Sequence, residues 1–163
     1  MDRNEREAVL SLVPHFSEER VVFDVGSNMG EWADILIHNC EMRLFEPNIK
    51  LLNYTEIKYR YLRNVEYRYM AIGAKQEYVE FNEFQDEYNG LSSIYVNEKW
   101  ADLPQRKERI MMFSLDSLVV DYIDLLKIDV EGAEWDVIQG AENLLREKKI
   151  KFIQFEYSEH YKV

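Results

Sequence analysis

A chain of 163 residues with 47% hydrophobic content has the length of one domain and enough apolar side chains for a core. Its formal charge of −11, from 20 basic and 31 acidic residues, repels polyanions and excludes nucleic acid as the expected partner. No window approaches the roughly 18 apolar residues of a membrane helix, and Met1-Asp2-Arg3-Asn4-Glu5-Arg6 lacks the apolar core of a signal peptide, so the expectation is one cytoplasmic domain with no membrane partner.

Residues 2–12 set Val9, Leu10 and Leu12 among charges, which predicts an amphipathic helix ending by Pro14 and packed on a sheet edge. The stretch Val21-Val22-Phe23-Asp24-Val25-Gly26-Ser27-Asn28-Met29-Gly30-Glu31-Trp32 then runs from a β-rich segment through an acid to two glycines flanking an asparagine. That order is the strand–turn–helix grammar of a nucleotide pocket. Gly26 and Gly30 let the backbone turn and approach a ligand with no Cβ in the way, and Asn28 is the non-glycine residue best able to sit at positive φ. The pattern D-x-G-x-N-x-G is not the G-x-G-x-x-G of dinucleotide folds, which argues against a nicotinamide-dependent dehydrogenase. A plain βα turn is an equal alternative for the glycines taken alone. A helix is expected from Gly30 to about Asn39, with Trp32, Ile35 and Leu36 on one face. Cys40, the single cysteine, cannot form an internal disulfide and reads as a small buried hydrophobe with no assigned chemistry.

Met42 to Phe45 is a second short strand ending in Glu46-Pro47, with Pro47 placed to open the next helix. Glu46 lies 22 positions beyond Asp24, where doubly wound folds hold a ribose diol. Two cis hydroxyls present two donors, and one carboxylate has two acceptor oxygens. A solvated strand-end glutamate is the bland alternative. The following helix carries Leu52, Thr55, Tyr59 and Leu62 at 3,4,3 spacing, an inward stripe. Residues 65–73 form a third strand whose end, Ala71-Ile72-Gly73, offers an apolar shelf for an adenine ring. From about 75 to 110 the rhythm breaks: Glu77 to Phe84 alternates as an exposed hairpin strand, 85–93 is polar, and Trp100 and Pro104 fall in a charged loop. This segment reads as a lid or substrate insertion, or as a decorative hairpin, with Ser92 and Ser93 as weak site candidates.

Residues 111–118 pass from strand to turn, and Asp124-Leu125-Leu126-Lys127-Ile128-Asp129-Val130-Glu131-Gly132-Ala133-Glu134 follows. A fourth strand here puts Asp129 at its carboxyl end and Glu131 in the turn, while Glu134 suits a helix N-terminus. Trp135, Ile138, Ala141 and Leu145 predict the core stripe of one helix. Residues 149–157 form a fifth strand delivering Glu156. Alternating strands and helices predict a mostly parallel sheet with helices on both faces. Ligands then bind beyond the carboxyl ends, at the switch between the first and fourth strands, where Asp24, Glu46, Asp129 and Glu156 all map.

With these pieces together, the chain resembles the FkbM family of S-adenosylmethionine-dependent methyltransferases. The resemblance rests on Asp24-Val25-Gly26-Ser27-Asn28-Met29-Gly30, Phe45-Glu46-Pro47, Leu115-Asp116-Ser117-Leu118, the stretch from Leu126 to Glu134, and Gly140-Ala141. It implies a Rossmann-like α/β domain of the class I methyltransferase type that transfers a methyl group from S-adenosylmethionine to a hydroxyl, typically of a sugar or natural product. By that resemblance Asp24, Gly26, Asn28 and Gly30 form the loop under the methionine part, Glu46 holds the ribose hydroxyls and Ile72 lines the adenine slot. Asp129 faces the cofactor amino group or the acceptor, and Asp129 or Glu131 is the base. The acidic edge suits a cofactor carrying an ammonium and a sulfonium. No metal is assigned, although a divalent ion at Asp129 and Glu156 is an alternative, since hard cations take carboxylate oxygens. Such folds usually add a helix and an antiparallel strand pair after the fifth strand, whereas this sequence stops at Tyr161-Lys162-Val163. The expected architecture therefore lacks that pair, as a shortened chain or as a divergent member that completes its sheet as a homodimer. The competing function is a non-catalytic α/β module that binds a nucleoside-like ligand or a protein.

Overall fold

Two strands buried along their length form the centre of the molecule. In the computed structural model, which describes residues 3–12, 19–96 and 98–156, these are Val21–Val25 (β1) and Ile123–Ile128 (β7). Near-continuous apolar runs of this kind belong to parallel strands covered on both faces. They pair in parallel, from Val22 opposite Leu125 to Val25 opposite Ile128. Glu41–Phe45 (β2) and then Val65–Arg68 (β3) extend the sheet on one side, and Ile150–Phe155 (β8) extends it on the other. The strand order is β3-β2-β1-β7-β8, with every pairing parallel, so the order reverses between β1 and β7 as the sequence predicts.

The alternation of side chains across the sheet makes two cores. Val22, Met42, Leu44 and Leu125 face a layer containing Trp32, Leu36 and Tyr59, and Val9 of α1 (Arg3–Leu12) packs into it. Helix α1 therefore lies on the sheet face and not along its edge. Phe23, Phe45, Leu126 and Ile128 face Leu115, Val137, Ala141 and Leu144 on the opposite side. Each such fully buried side chain contributes about 1.5–3 kcal/mol through removal from water.

Several elements differ from expectation for identifiable reasons. The expected helix over 30–39 is a single 3₁₀ turn, Ala33–Ile35. The Tyr59 hydroxyl shares its one proton between the Gly30 carbonyl (2.6 Å) and Asp34 (2.8 Å), and Lys58 donates to the Met29 carbonyl. These side chains take up backbone acceptors in a segment whose Ile35, Ile37, His38 and Asn39 are mediocre helix formers. Helix α2 (Ile49–Lys58) is opened by Asn48, not Pro47, because the Asn48 side chain caps the Lys50 N–H.

The expected third strand also divides. After β3, Ala71–Ile72 (β4) leaves the main sheet and pairs with Gln105–Phe113 (β6), which runs antiparallel to Glu77–Phe84 (β5). The 75–110 insertion is therefore a hairpin in a three-stranded sheet ordered β4-β6-β5. Its return strand begins at Gln105, where Gln-Arg-Lys-Glu-Arg reads as a charged loop. Cross-strand partners supply what propensity lacks: Lys107 bonds Glu80 at 2.6 Å, and Arg109 lies over the Tyr78 ring.

The single helix expected after β7 is two, α3 (Glu134–Gln139) and α4 (Glu142–Arg146). Trp135 is 68% exposed, and the inward stripe is Val137, Ala141 and Leu144. Asp116 sets the break: its N–H donates to the Gly140 carbonyl, and its carboxylate accepts from the N–H groups of Asn143 (2.8 Å) and Leu144 (3.0 Å). Beyond β7, β8 leaves Phe152, Ile153 and Phe155 exposed, and no strand flanks its outer edge among the described residues. Tyr157 of the expected fifth strand lies outside the described residues. No described helix is long and apolar enough to cross a membrane.

Removing the Asp116 cap should be measurable. We expect Asp116→Ala to lower stability by about 0.5–2 kcal/mol in urea unfolding, and an unchanged unfolding midpoint would refute the capping role.

Candidate active site

The carboxyl end of β1 is tied down by a side chain from its neighbour. Lys127, on β7, places its ammonium 2.9 Å from Asp24 Oδ1, 2.9 Å from the Gly26 carbonyl and 3.5 Å from Asp129 Oδ2. Asp24 is fully buried beneath the loop, so its carboxylate anchors the turn and does not line the cavity. Burial raises the Asp24 carboxyl pKa despite Lys127. Burial opposes the Lys127 charge, but Asp24 and Asp129 together outweigh it and raise the ammonium pKa.

The turn has the backbone its residue types suggest, with φ of +78° at Gly26, +46° at Asn28 and +74° at Gly30. The glycines serve a purpose not expected of them. A Cβ on Gly26 would sit 1.8 Å from the Asp129 carbonyl oxygen, and one on Gly30 would sit 2.5 Å from the Tyr59 hydroxyl. Both make room for the protein's own atoms, and Gly26 also lines the cavity described below. The Gly26 and Ser27 N–H groups both donate to the Phe45 carbonyl, binding the turn to the end of β2.

Glu46 stands at that end, 5% exposed. Its Oε2 accepts from the Asn28 N–H (2.9 Å) and its Oε1 from the Asn48 N–H (2.8 Å), leaving each oxygen a further lone pair. Burial pushes its pKa up to about 7, against the two N–H groups and Lys127, which lower it, while Asp24 adds to the rise. The folded state thus keeps a proton that the unfolded chain releases, so Glu46 withdraws stability as pH rises from the ordinary carboxyl range to about 7.

A cavity of about 1140 Å³ runs along these strand ends. Its β2 end holds Glu46 with Met70, Ala71 and Ile72, so the expected adenine shelf does line it. At the β7–β8 end, carboxylate oxygens of Asp129, Glu131 and Glu156 lie within 4.8 Å of one another. The inserted segment contributes Gly90, Ser92 and Ser93 to the wall. Ser93 Oγ donates to the Val130 carbonyl (2.9 Å), Ser92 Oγ accepts from the Phe84 N–H (3.1 Å), and the Tyr95 hydroxyl bonds Asp136 (2.7 Å). Ser93 therefore tethers the insertion to the turn after β7, while Ser92 bonds within the insertion. Cys40 is buried away from this site, with its thiol pushed up to about 12 by burial.

Glu131 adopts φ of +55°, a left-handed conformation costly for a residue with a Cβ. It is held there by Glu134, whose Oε1 accepts from the Val130 N–H (3.0 Å) and the Gly132 N–H (3.2 Å). Glu134 is thus a clamp on the Asp129–Gly132 loop, beyond the helix-dipole role expected of it.

Comparison with known proteins gives this geometry a family. The model of the methyltransferase FkbM domain matches residues 24–162. The chain belongs to the FkbM methyltransferase domain family. A crystal structure of a methyltransferase FkbM from Methylobacillus flagellatus KT shares its fold, with a TM-score of 0.61 and 19% identity. That match covers 90% of this chain and 34% of the other, so this chain spans about a third of its solved relative. The YcgJ protein of Bacillus subtilis aligns with a TM-score of 0.42 at 9% identity, over 77% of this chain and 37% of that one. No curated protein matches.

The FkbM domain's residues fit S-adenosylmethionine by the chemistry of their donor set. Glu46 has acceptor capacity for a diol, Met70 to Ile72 offer an apolar slot, and the carboxylates of the far end suit the cofactor's cations. Two residues essential to this arrangement, Lys127 and Asn48, were not singled out by pattern, and Glu134 was expected only as a helix-N-terminal acid. For Lys127 a signal existed: a lysine inside an unbroken apolar strand must be paired.

The Lys127 assignment has an energetic consequence. We expect Lys127→Met to cost about 3–5 kcal/mol in urea unfolding, because it strands a buried carboxylate. Adding Asp24→Asn should restore at least about 1 kcal/mol, and strict additivity of the two changes would refute the pairing.

Proposed function

We propose that this FkbM domain transfers a methyl group from S-adenosylmethionine to a hydroxyl of a sugar-like or natural-product small molecule. The observation that carries the reading is Glu46, a buried carboxylate at the end of β2 that opens onto the cavity with acceptor capacity remaining. When bound, the cofactor supplies a methyl group made electrophilic by its sulfonium. Glu46 would hold the two ribose hydroxyls and Ile72 would line the adenine slot. Asp129, held by Lys127, would attract the cofactor's ammonium. Glu131 accepts the proton that the acceptor hydroxyl gives up, a contribution of about 10²–10⁴ in rate for a positioned base. The rest of the acceleration comes from alignment.

Protonated Glu46 accepts poorly, so cofactor affinity should follow its ionisation. Calorimetric titration with S-adenosylhomocysteine should show affinity rising from about pH 6 to about pH 8, with Glu46→Gln weakening it at least about tenfold and flattening the pH response. Folded protein that gives no heat at about millimolar ligand would sink the reading.

The left-handed Glu131 separates catalysis from stability. Glu131→Gly should raise stability by about 1 kcal/mol, because glycine removes the φ penalty. It should also cut labelled methyl transfer to a panel of hydroxylated acceptors at least about 100-fold; undiminished transfer would acquit Glu131 as base. The grouping of Asp129, Glu131 and Glu156 within 4.8 Å favours one variant of the mechanism, with a divalent cation among them. EDTA in the same assay selects it if transfer stops and magnesium restores it, and removes it if transfer is unchanged. Binding without transfer to any acceptor would favour the non-catalytic module.

A further inference from the structure

The inserted hairpin carries a buried acid that the chemistry above does not use. Strand β5 ends in four consecutive buried residues, Phe81, Asn82, Glu83 and Phe84, and two of them are polar. Asn82 pairs with Ser93 through its backbone and its Nδ2. Glu83 is 7% exposed, and its Oε1 accepts from Lys50 Nζ (3.0 Å) and from Asn48 Nδ2 (3.2 Å). The Lys50 side chain is 71% exposed, so that ion pair is too solvated to account for a buried acid. The bond to Asn48 is different, because Asn48 is itself buried and has a second duty. Its N–H donates to Glu46 Oε1, and its Oδ1 caps α2.

We propose that Glu83 is a positioning residue for the ribose-binding carboxylate: by holding the Asn48 side chain it fixes the N–H that Glu46 receives, so the inserted hairpin sets how firmly ribose is bound. The proposal rests on the methyl-donor reading for its ligand, but not for its geometry. Without Glu83, Asn48 Nδ2 loses its buried acceptor and Asn48 turns toward another. Its N–H then drifts from Glu46, and the carboxylate keeps only the Asn28 N–H. The charged groups facing Glu46, Lys127 and Asp24, are untouched by this change. The expected result is a Glu46 that ionises at higher pH and holds a diol less well at neutral pH.

The test uses the full chain, four single variants, one double variant and Glu46→Gln as a reference for assignment. Glu83→Ala and Asn48→Ser both break the link, and serine preserves the cap on α2 and the Glu83–Lys50 pair. Glu83→Gln keeps an acceptor for Asn48, and Lys50→Met removes only the exposed partner. The first readout is the Glu46 carboxyl-carbon NMR titration in free protein, assigned with Glu46→Gln. Glu83→Ala and Asn48→Ser should each raise the midpoint by about 0.5 unit or more, whereas Glu83→Gln and Lys50→Met should keep the wild-type value. The second readout is S-adenosylhomocysteine affinity near pH 7, expected to fall about three- to tenfold in the first pair and hold in the second. The Glu83→Ala, Asn48→Ser double variant should be no worse than either single change. A wild-type midpoint in Glu83→Ala and Asn48→Ser overturns the proposal, as does a Lys50→Met protein that matches Glu83→Ala. Should Glu83→Ala not fold, Asn48→Ser decides alone. A wild-type protein that ignores S-adenosylhomocysteine defeats the methyl-donor reading, while the NMR midpoint still decides the role of Glu83.

Discussion

The geometry of this domain depends on one ammonium placed in its interior. Lys127 reaches from β7 to the Asp24 carboxylate on β1 and to the Gly26 carbonyl in the turn that follows, joining the two central strands where the sheet order reverses. Two ions buried this deeply each lose several kcal/mol of hydration, and their attraction does little more than offset the loss. The pair is better understood as a constraint than as a source of stability. With the Gly26 carbonyl held and its α-carbon against the Asp129 carbonyl, the turns after β1 and β7 cannot move independently. Asp24, the Gly26 turn and Asp129 are all positioned by that contact.

The two ends of the cavity are built on opposite principles. At the β2 end a single acid is buried, so its charge is suppressed near neutrality despite the two N–H groups it accepts from. At the β7–β8 end three acids stand together and partly exposed, with Lys127 beneath one of them. The inserted hairpin touches both ends, through Glu83 at the first and Ser93 and Tyr95 at the second. An element that grips both rims of a cavity transmits a change at one to the other.

The parallel sheet, its reversal point and the carboxyl-edge acids were legible in the sequence because they follow from periodicity and from strand ends, which are local signals. Asn28 at positive φ was legible for the same reason. What escaped was non-local. The return strand from Gln105 is charged and becomes a strand only by pairing with β5, and the division between α3 and α4 depends on Asp116, more than 20 positions away. The glycines were found at the right places, but an intramolecular reason for them was not. Residue type announces that a Cβ is forbidden, but only the fold shows that the Asp129 carbonyl and Tyr59 do the forbidding. Asp24 was misjudged similarly: an acid at a strand end can point into a site or beneath it, and the choice was made by Lys127.

The outer strand bears on how the protein behaves in bulk. β8 exposes Phe152 on one face and Ile153 and Phe155 on the other, apolar side chains that favour contact between molecules. Two features oppose it. Lys151 lies over the Phe152 ring and puts a charge on the strand, and a net charge of −11 keeps whole molecules apart. Both are Coulombic and fade within about 10 Å at 0.1 M salt. The colloidal stability of this domain is therefore governed by ionic strength acting at β8, at the far side of the sheet from Glu46.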